Sequence, residues 1–564
     1  MKQQNNGFSL GKVLNALLNM RKFITLLGCS LAIAFTSNAQ SGFGRADSLR
    51  GSLTACRTSY DVGHYDLEVN FETLAGVTKD GGKLSFPIQG RVGMHVRHLS
   101  TERCLQVDLQ PHLRIDSIVF QGTKLPFTSE GSAHFVQWPT RPEAGSVSVL
   151  QVYYSGQLLI AKKAPWDGGF VFEKDKNGNP WVGVACEGLG ASSWWPCKDH
   201  LSDEPDSMRM TYHIPTGLGV RVVGNGKLMQ QTTKDGKDTY VFSVQNKINS
   251  YNVTVNIADY ETVTDTVHTA TAGIQTLTYE VLRGHGAKAK AHFKQARAMH
   301  HCFEQVFGVY AFWTDGFKVV ETPYWGMEHQ SAIAYGNGFK NNRWGFDFIL
   351  VHESGHEWWG NSVSVADHAD MWIHEGFTTY SETLLMECKE GLGRAEDYLR
   401  SQRPLVANIR PMAGPLGVNY QQSDNDVYYK GAWMLHTLRK SLYNDALFFE
   451  LLRLCYRQFY LQEINSQQMV DFWCQQLGES YRPFFQTYLY QTALPRLRVM
   501  EQSLEDGFAY SLHFEQVSAG FQLALPVNTT LVKVGERPVT VYSEKPIAFN
   551  SLQKHLLIRV VTER

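Results

Sequence analysis

The chain has 564 residues, of which 43% are hydrophobic and 19% charged, and its formal net charge at pH 7 is −1. That length exceeds what one hydrophobic core organises and predicts several domains. So balanced a charge excludes an overall basic field for nucleic acid and an acidic solvating tail, and no nucleic-acid partner is expected.

The N-terminus predicts export. Arg21 and Lys22 precede an apolar run from Phe23 to Phe35, and Ser37, Asn38 and Ala39 supply small residues for cleavage before Gln40. Residues 1–40 are therefore expected to be a signal peptide, with Met20 as an alternative start and the residues before it as an upstream extension. A run of about thirteen apolar residues is too short for a permanent membrane span, and no later stretch is long and apolar enough. A lipoprotein signal through Leu26-Leu27-Gly28-Cys29 is the rival pattern, disfavoured because the apolar run continues past Cys29. The expected location is periplasmic, extracellular or at the cell surface.

From about Ser59 to Tyr260 short alternating runs, such as His64 to Phe71 and Val147 to Tyr154, are punctuated by Gly, Asp and Lys-Asp-Gly turns. This predicts a large all-β domain over 41–262. After Leu277 to Val281 the period changes: Phe293, Ala296, Met299, Phe303, Val306 and Phe307 make a helical stripe. Helical texture then dominates a domain over 263–491, and alternation returns at Phe508, Tyr510, Leu512 and Phe514 in a small β domain over 492–564. The fold class is multidomain α+β. The nine cysteines form no C-x-x-C pair. Scattered buried thiols are expected, with Cys186 and Cys197 as the pair able to bridge.

The chemistry concentrates in His352-Glu353-Ser354-Gly355-His356. On a helix, residues four apart share a face, so His352 and His356 can present two imidazoles to one ion while Glu353 reaches the same cleft without ligating. A catalytic zinc of this kind takes two histidines and a carboxylate and leaves a position for water. Glu375, nineteen residues after His356 on a second helix, is the expected carboxylate. The flanking Phe346, Phe348, Ile349, Leu350, Val351, Trp358 and Trp359 predict a buried helix, and buried histidines need partners that a metal supplies. Glu382, two turns beyond Glu375, is either a carboxylate orienting a ligand histidine or an ordinary helix-surface acid. His300, His301, His368 and His374 are expected at the surface or behind the ligands rather than as ligands.

Three further constellations lie in a telling order: Ala185-Cys186-Glu187, then Trp325-Gly326-Met327-Glu328-His329, then Tyr428-Tyr429-Lys430-Gly431. With the metal motif they resemble the aminopeptidase N family of zinc metallopeptidases, over most of the chain after the signal. The resemblance implies a saddle-like N-terminal β domain, a thermolysin-like catalytic domain and a small C-terminal β domain. It implies Glu353 as general base, Tyr428 as oxyanion donor, and Gly326, Met327, Glu328 and Glu187 as substrate-binding residues, the two acids gripping the substrate's free amino group. Trp325 and His329 depart from the family's usual glycine and asparagine, so side-chain preference does not transfer. One zinc ion and peptides with a free N-terminus are the expected cofactor and partners. The alternatives are a zinc endopeptidase with an open cleft and a peptide- or glycan-binding surface protein that has lost catalysis.

Overall fold

The computed structural model describes residues 42–78, 84–419, 424–527 and 530–563. The expected signal peptide over 1–40, Cys29 included, lies outside the described residues. Among those described, no helix is long and apolar enough to cross a membrane.

The N-terminal half is built on an eight-stranded sheet. Its centre is Tyr60–Phe71, paired antiparallel with Pro87–His98 on one side and parallel with Ser207–Pro215 on the other. Tyr65, Leu67, Val69 and Phe71 alternate inward and are buried, as period-two patterning requires. The alternation from Tyr60 and Val62 is interrupted between Val62 and His64, where a register shift inserts one residue. A four-stranded sheet follows, containing Gly169–Lys174, Pro180–Ala185, Val255–Ala258 and Arg221–Gly224. Its strand Pro180–Ala185 delivers Glu187 towards the middle of the molecule.

A five-stranded sheet opens the central region, in the order Tyr260–Thr269, Gly273–Leu282, Phe317–Glu321, Ile333–Tyr335, Gly326–Met327. The short strand Gly326–Met327 is the edge and, among the described residues, pairs only with Ile333–Tyr335. Helices dominate after Phe348, chiefly Phe348–Gly355, Trp372–Glu390, Asp426–Leu442, Asp445–Gln458 and Ser466–Leu477. The last segment is a four-stranded sheet, Val539–Ser543, Gly507–Glu515, Arg496–Leu504, Arg559–Glu563, beside the hairpin Gln522–Val527 and Thr530–Gly535. The chain is thus a multidomain α+β protein with β-rich ends and a mainly helical middle.

Two expectations are corrected. Cys56 bonds to Cys104 and Cys302 to Cys388, whereas Cys186 and Cys197 are buried free thiols. Each bridge ties a helix to an element distant in sequence, so only the fold sets the pairing. His300 lies in the core among Tyr310, Trp313, Phe317 and Trp358, not at the surface. The stripe that predicted its helix runs one position away at Met299 and Phe303; an imidazole stacked on rings fills the same layer.

Candidate active site

Asp347 starts the motif helix by accepting a bond from the Leu350 amide at 3.2 Å, which satisfies one of the free N–H groups of the first turn. Ile349, Leu350 and Val351 anchor the helix in the core, which brings His352, Glu353 and His356 to the floor of a cavity of about 650 Å³. Gly355 lets the next helix approach closely: a Cβ there would lie 2.7 Å from Ser381 Oγ. That approach carries Glu375 and Glu382 to the two histidines.

Three donor atoms converge. His352 Nε2 and His356 Nε2 are 3.3 Å apart, and each is 3.4 Å from Glu375 Oε2. A tetrahedral zinc with bonds of about 2.0–2.1 Å holds its ligand atoms about 3.3–3.4 Å apart, so the spacing fits that ion. Glu375 Oε2 is buried with no hydrogen-bond partner, a state that a cation relieves. Both outer nitrogens are engaged: His352 Nδ1 meets Glu382 Oε1 at 2.7 Å, and His356 Nδ1 meets the Trp359 carbonyl at 3.0 Å. Donation from Nδ1 leaves each Nε2 lone pair facing the centre, as metal ligation needs. Glu382 is fully buried and also accepts from the Tyr398 hydroxyl and from Gln402 Nε2, so it orients His352 and is no surface acid.

A second group of acids adjoins the first. Ligand atoms of Glu328, Glu353 and His356 all lie within 4.8 Å of one another. Burial pushes the Glu353 carboxyl up to about 7, against the pull of His352 and His356 and with the Glu328 and Glu375 charges adding to it. Burial and then the Glu328, Glu375 and Glu353 carboxylates hold Glu187 well above the ordinary carboxylate range, and burial raises Glu328 too. Acids gathered this closely favour a cation among them. Burial alone would also raise Glu375, but His356 and His352 overcome it and keep this carboxyl ionised.

Backbone features aim these groups. Gly326 packs against the general-base candidate: a Cβ there would sit 2.4 Å from Glu353 Oε1. The turn after Glu187 is folded by Asp199, whose carboxylate accepts from the Ala191 and Ser192 amides at 3.2 Å. Gly190 makes room for that carboxylate at φ 88°. Tyr428 sits in the first turn of Asp426–Leu442, with its ring 6.0 Å from that of His352. Burial and the Glu375 and Glu187 carboxylates hold its hydroxyl well above a phenol's ordinary range, so it remains a proton donor. Its helix crosses Trp372–Glu390 at a bare contact, where a Cβ on Gly431 would lie 2.8 Å from Gly376 Cα.

All nine residues expected at the site from sequence, Glu187, Gly326, Met327, Glu328, His352, Glu353, His356, Glu375 and Tyr428, line this one cavity. Sequence reasoning missed Tyr251, whose hydroxyl donates to Glu328 Oε1 at 3.0 Å, and the Gly190–Asp199 turn. Tyr251 lies 77 residues from Glu328 and carries no local signal, whereas the Gly190–Asp199 turn closes within nine residues but has no motif that marks it. Of the two places expected for His374, at the surface or behind the ligands, the structure shows it buried, accepting from the Val365 amide at 3.0 Å.

Comparison with known proteins agrees with this geometry. Residues 338–488 match the peptidase family M1 domain. The chain is 22% identical over 285 residues to a leucyl aminopeptidase of Saccharolobus solfataricus, covering 48% of this chain and 33% of that protein. It is 27% identical over 192 residues to aminopeptidase N of Oryctolagus cuniculus, covering 29% of this chain and 19% of that one. The matched stretches thus span a third or less of these relatives. An M1 zinc metallopeptidase of Deinococcus radiodurans, solved with a Tyr-Ser-Ala substrate, superposes with a TM-score of 0.66 at 20% identity, over 78% of this chain and 95% of that one. At that identity the likeness establishes the fold. Domain match, fold and donor set agree: residues 338–488 match the peptidase family M1 domain, and the chain is similar in fold and sequence to aminopeptidase N-like zinc peptidases of that family.

Proposed function

We propose that this protein is an exported zinc aminopeptidase that removes single residues from the free N-termini of peptides. The observation that carries the reading is the convergence of His352, His356 and Glu375 at 3.3–3.4 Å beside a separate buried acid group. His352, His356 and Glu375 would hold one zinc ion, which when bound supplies Lewis acidity at the scissile carbonyl and lowers the pKa of an attacking water.

The chain's own residues do the rest. Glu353 accepts the proton of the attacking water and returns it to the leaving amine, which its position beside Glu328 and its raised pKa suit. Tyr428, protonated across the physiological range, donates to the developing oxyanion. A peptide's α-ammonium, with a pKa near 8, is charged at neutral pH and neutralises the Glu187 and Glu328 acids. Tyr251 fixes Glu328 for that contact. An enzyme anchored in this way counts from the chain end and so acts as an exopeptidase.

Export is supported by the basic and apolar N-terminal pattern and by two disulfides, which persist in oxidising compartments. The test is a pair of otherwise identical peptides, one with a free and one with an acetylated N-terminus. Release of the first residue from the free peptide alone is expected, and internal cleavage of the acetylated one would instead identify an endopeptidase.

A further inference from the structure

Two large aromatic side chains stand open at the mouth of the cavity. Trp166 is 52% exposed and Trp325 44%, and both line the same space as the metal-ligand candidates. They come from different parts of the chain, a loop of the N-terminal half and the residue just before the edge strand, yet their rings meet with centroids 6.1 Å apart. The row continues inward: Trp325 lies 5.7 Å from Phe348, and Phe348 stacks on His352 at 5.3 Å. Lys163 reaches over the Trp166 ring at 5.4 Å and helps fix it. Exposed indoles brought together at a cavity rim mark a contact surface, since leaving them in water forgoes a large apolar burial.

The direction of the edge strand says which part of a peptide meets them. The chain runs from Trp325 through Gly326 and Met327 to Glu328, and Gly326–Met327 keeps one edge unpaired among the described residues. A peptide laid along that edge with its ammonium at Glu328 and Glu187 has its later residues at the Trp325 end. Gly326 against Glu353 marks the point of cleavage between the two. Everything beyond it belongs to the leaving group.

We infer that Trp166 and Trp325, continued by Phe348, form a binding platform for the side chain immediately after the scissile bond, and that it selects peptides with an aromatic residue at the second position. The inference rests on the aminopeptidase reading and adds a leaving-side preference to it. With the rings only 6.1 Å apart nothing fits between them, so the substrate side chain packs on their cavity face.

The test compares Ala-Phe-Ala with Ala-Gly-Ala in the wild type, Trp166→Ala, Trp325→Ala and Trp166→Phe. The wild type is expected to favour Ala-Phe-Ala by roughly three- to tenfold in kcat/KM, the scale of one aromatic contact. Both alanine variants should bring that ratio towards one, mainly through KM, and Trp166→Phe should keep part of it. A wild-type ratio near one, or a ratio untouched in folded Trp166→Ala, overturns the platform while leaving the aminopeptidase reading in place. If the alanine variants do not fold, the wild-type ratio and Trp166→Phe decide alone. Failure of the wild type to release alanine from either peptide sinks both.

Discussion

Among single residues, Glu353 and Tyr428 carry the sharpest expectations. Glu353→Gln keeps the size of the side chain and removes the base, so turnover of an aminoacyl reporter should fall by roughly 100- to 10,000-fold, measured beside an unchanged zinc content. Tyr428→Phe removes the hydroxyl proposed to donate to the oxyanion. It should lower kcat by roughly 100- to 1,000-fold and leave KM near its wild-type value, because the bond forms only as charge develops. In the proposed mechanism Glu353 acts in its ionised form, so kcat/KM should fall as pH drops through its pKa. That limb lies at or below about 7, the value burial gives the carboxyl before any cation lowers it. At this scale the sequence was most legible. His352, Glu353 and His356 are fixed by helical period, and Glu375 by its distance along the chain. Glu382 was ambiguous because its partner, His352 Nδ1, lies on the facing helix.

Between elements, the site depends on glycines that let backbones approach. Gly431 and Gly376 set the crossing that holds Tyr428 over the ligands, and neither helix can yield there without moving as a whole. Gly431→Ala should therefore cost about 1–3 kcal/mol in overpacking, seen as a lower unfolding midpoint, and should lower kcat as Tyr428 shifts. Alanine variants at exposed glycines with open space around them, such as Gly393, should show neither effect. The elements themselves were readable from period two at His64 to Phe71 and from the stripe through Phe293 and Phe303. The Gly–Gly crossing was not, since a bare contact leaves no pattern in either helix alone. The edge position of Gly326–Met327 likewise depends on sheet order, which no local pattern encodes.

For the molecule as a whole, the β-rich N-terminal half and the helical middle are joined by buried polar contacts. Glu204 accepts from Ser364 Oγ at 2.7 Å and from Asn249 Nδ2 at 3.3 Å. Burial, then the Glu463 charge, pushes its pKa up to about 8. The folded state therefore holds this proton more tightly than the unfolded chain. The stabilisation is complete below the unfolded pKa of about 4.5 and is lost as pH rises through about 8. Glu204→Gln should flatten the fall in unfolding midpoint between those two values, and an unchanged slope would remove Glu204 as its source. The disulfides are also whole-molecule features: four scattered cysteines gave no sign of pairing, and the fold alone joins Cys56 to Cys104 and Cys302 to Cys388.

The central claim is that one zinc ion is held where His352, His356 and Glu375 meet. Elemental analysis of metal-replete, dialysed protein tests it most directly, comparing the wild type with folded His356→Ala. The account predicts one zinc per chain in the wild type and next to none in the variant; equal zinc in both, or none in the wild type, would contradict it.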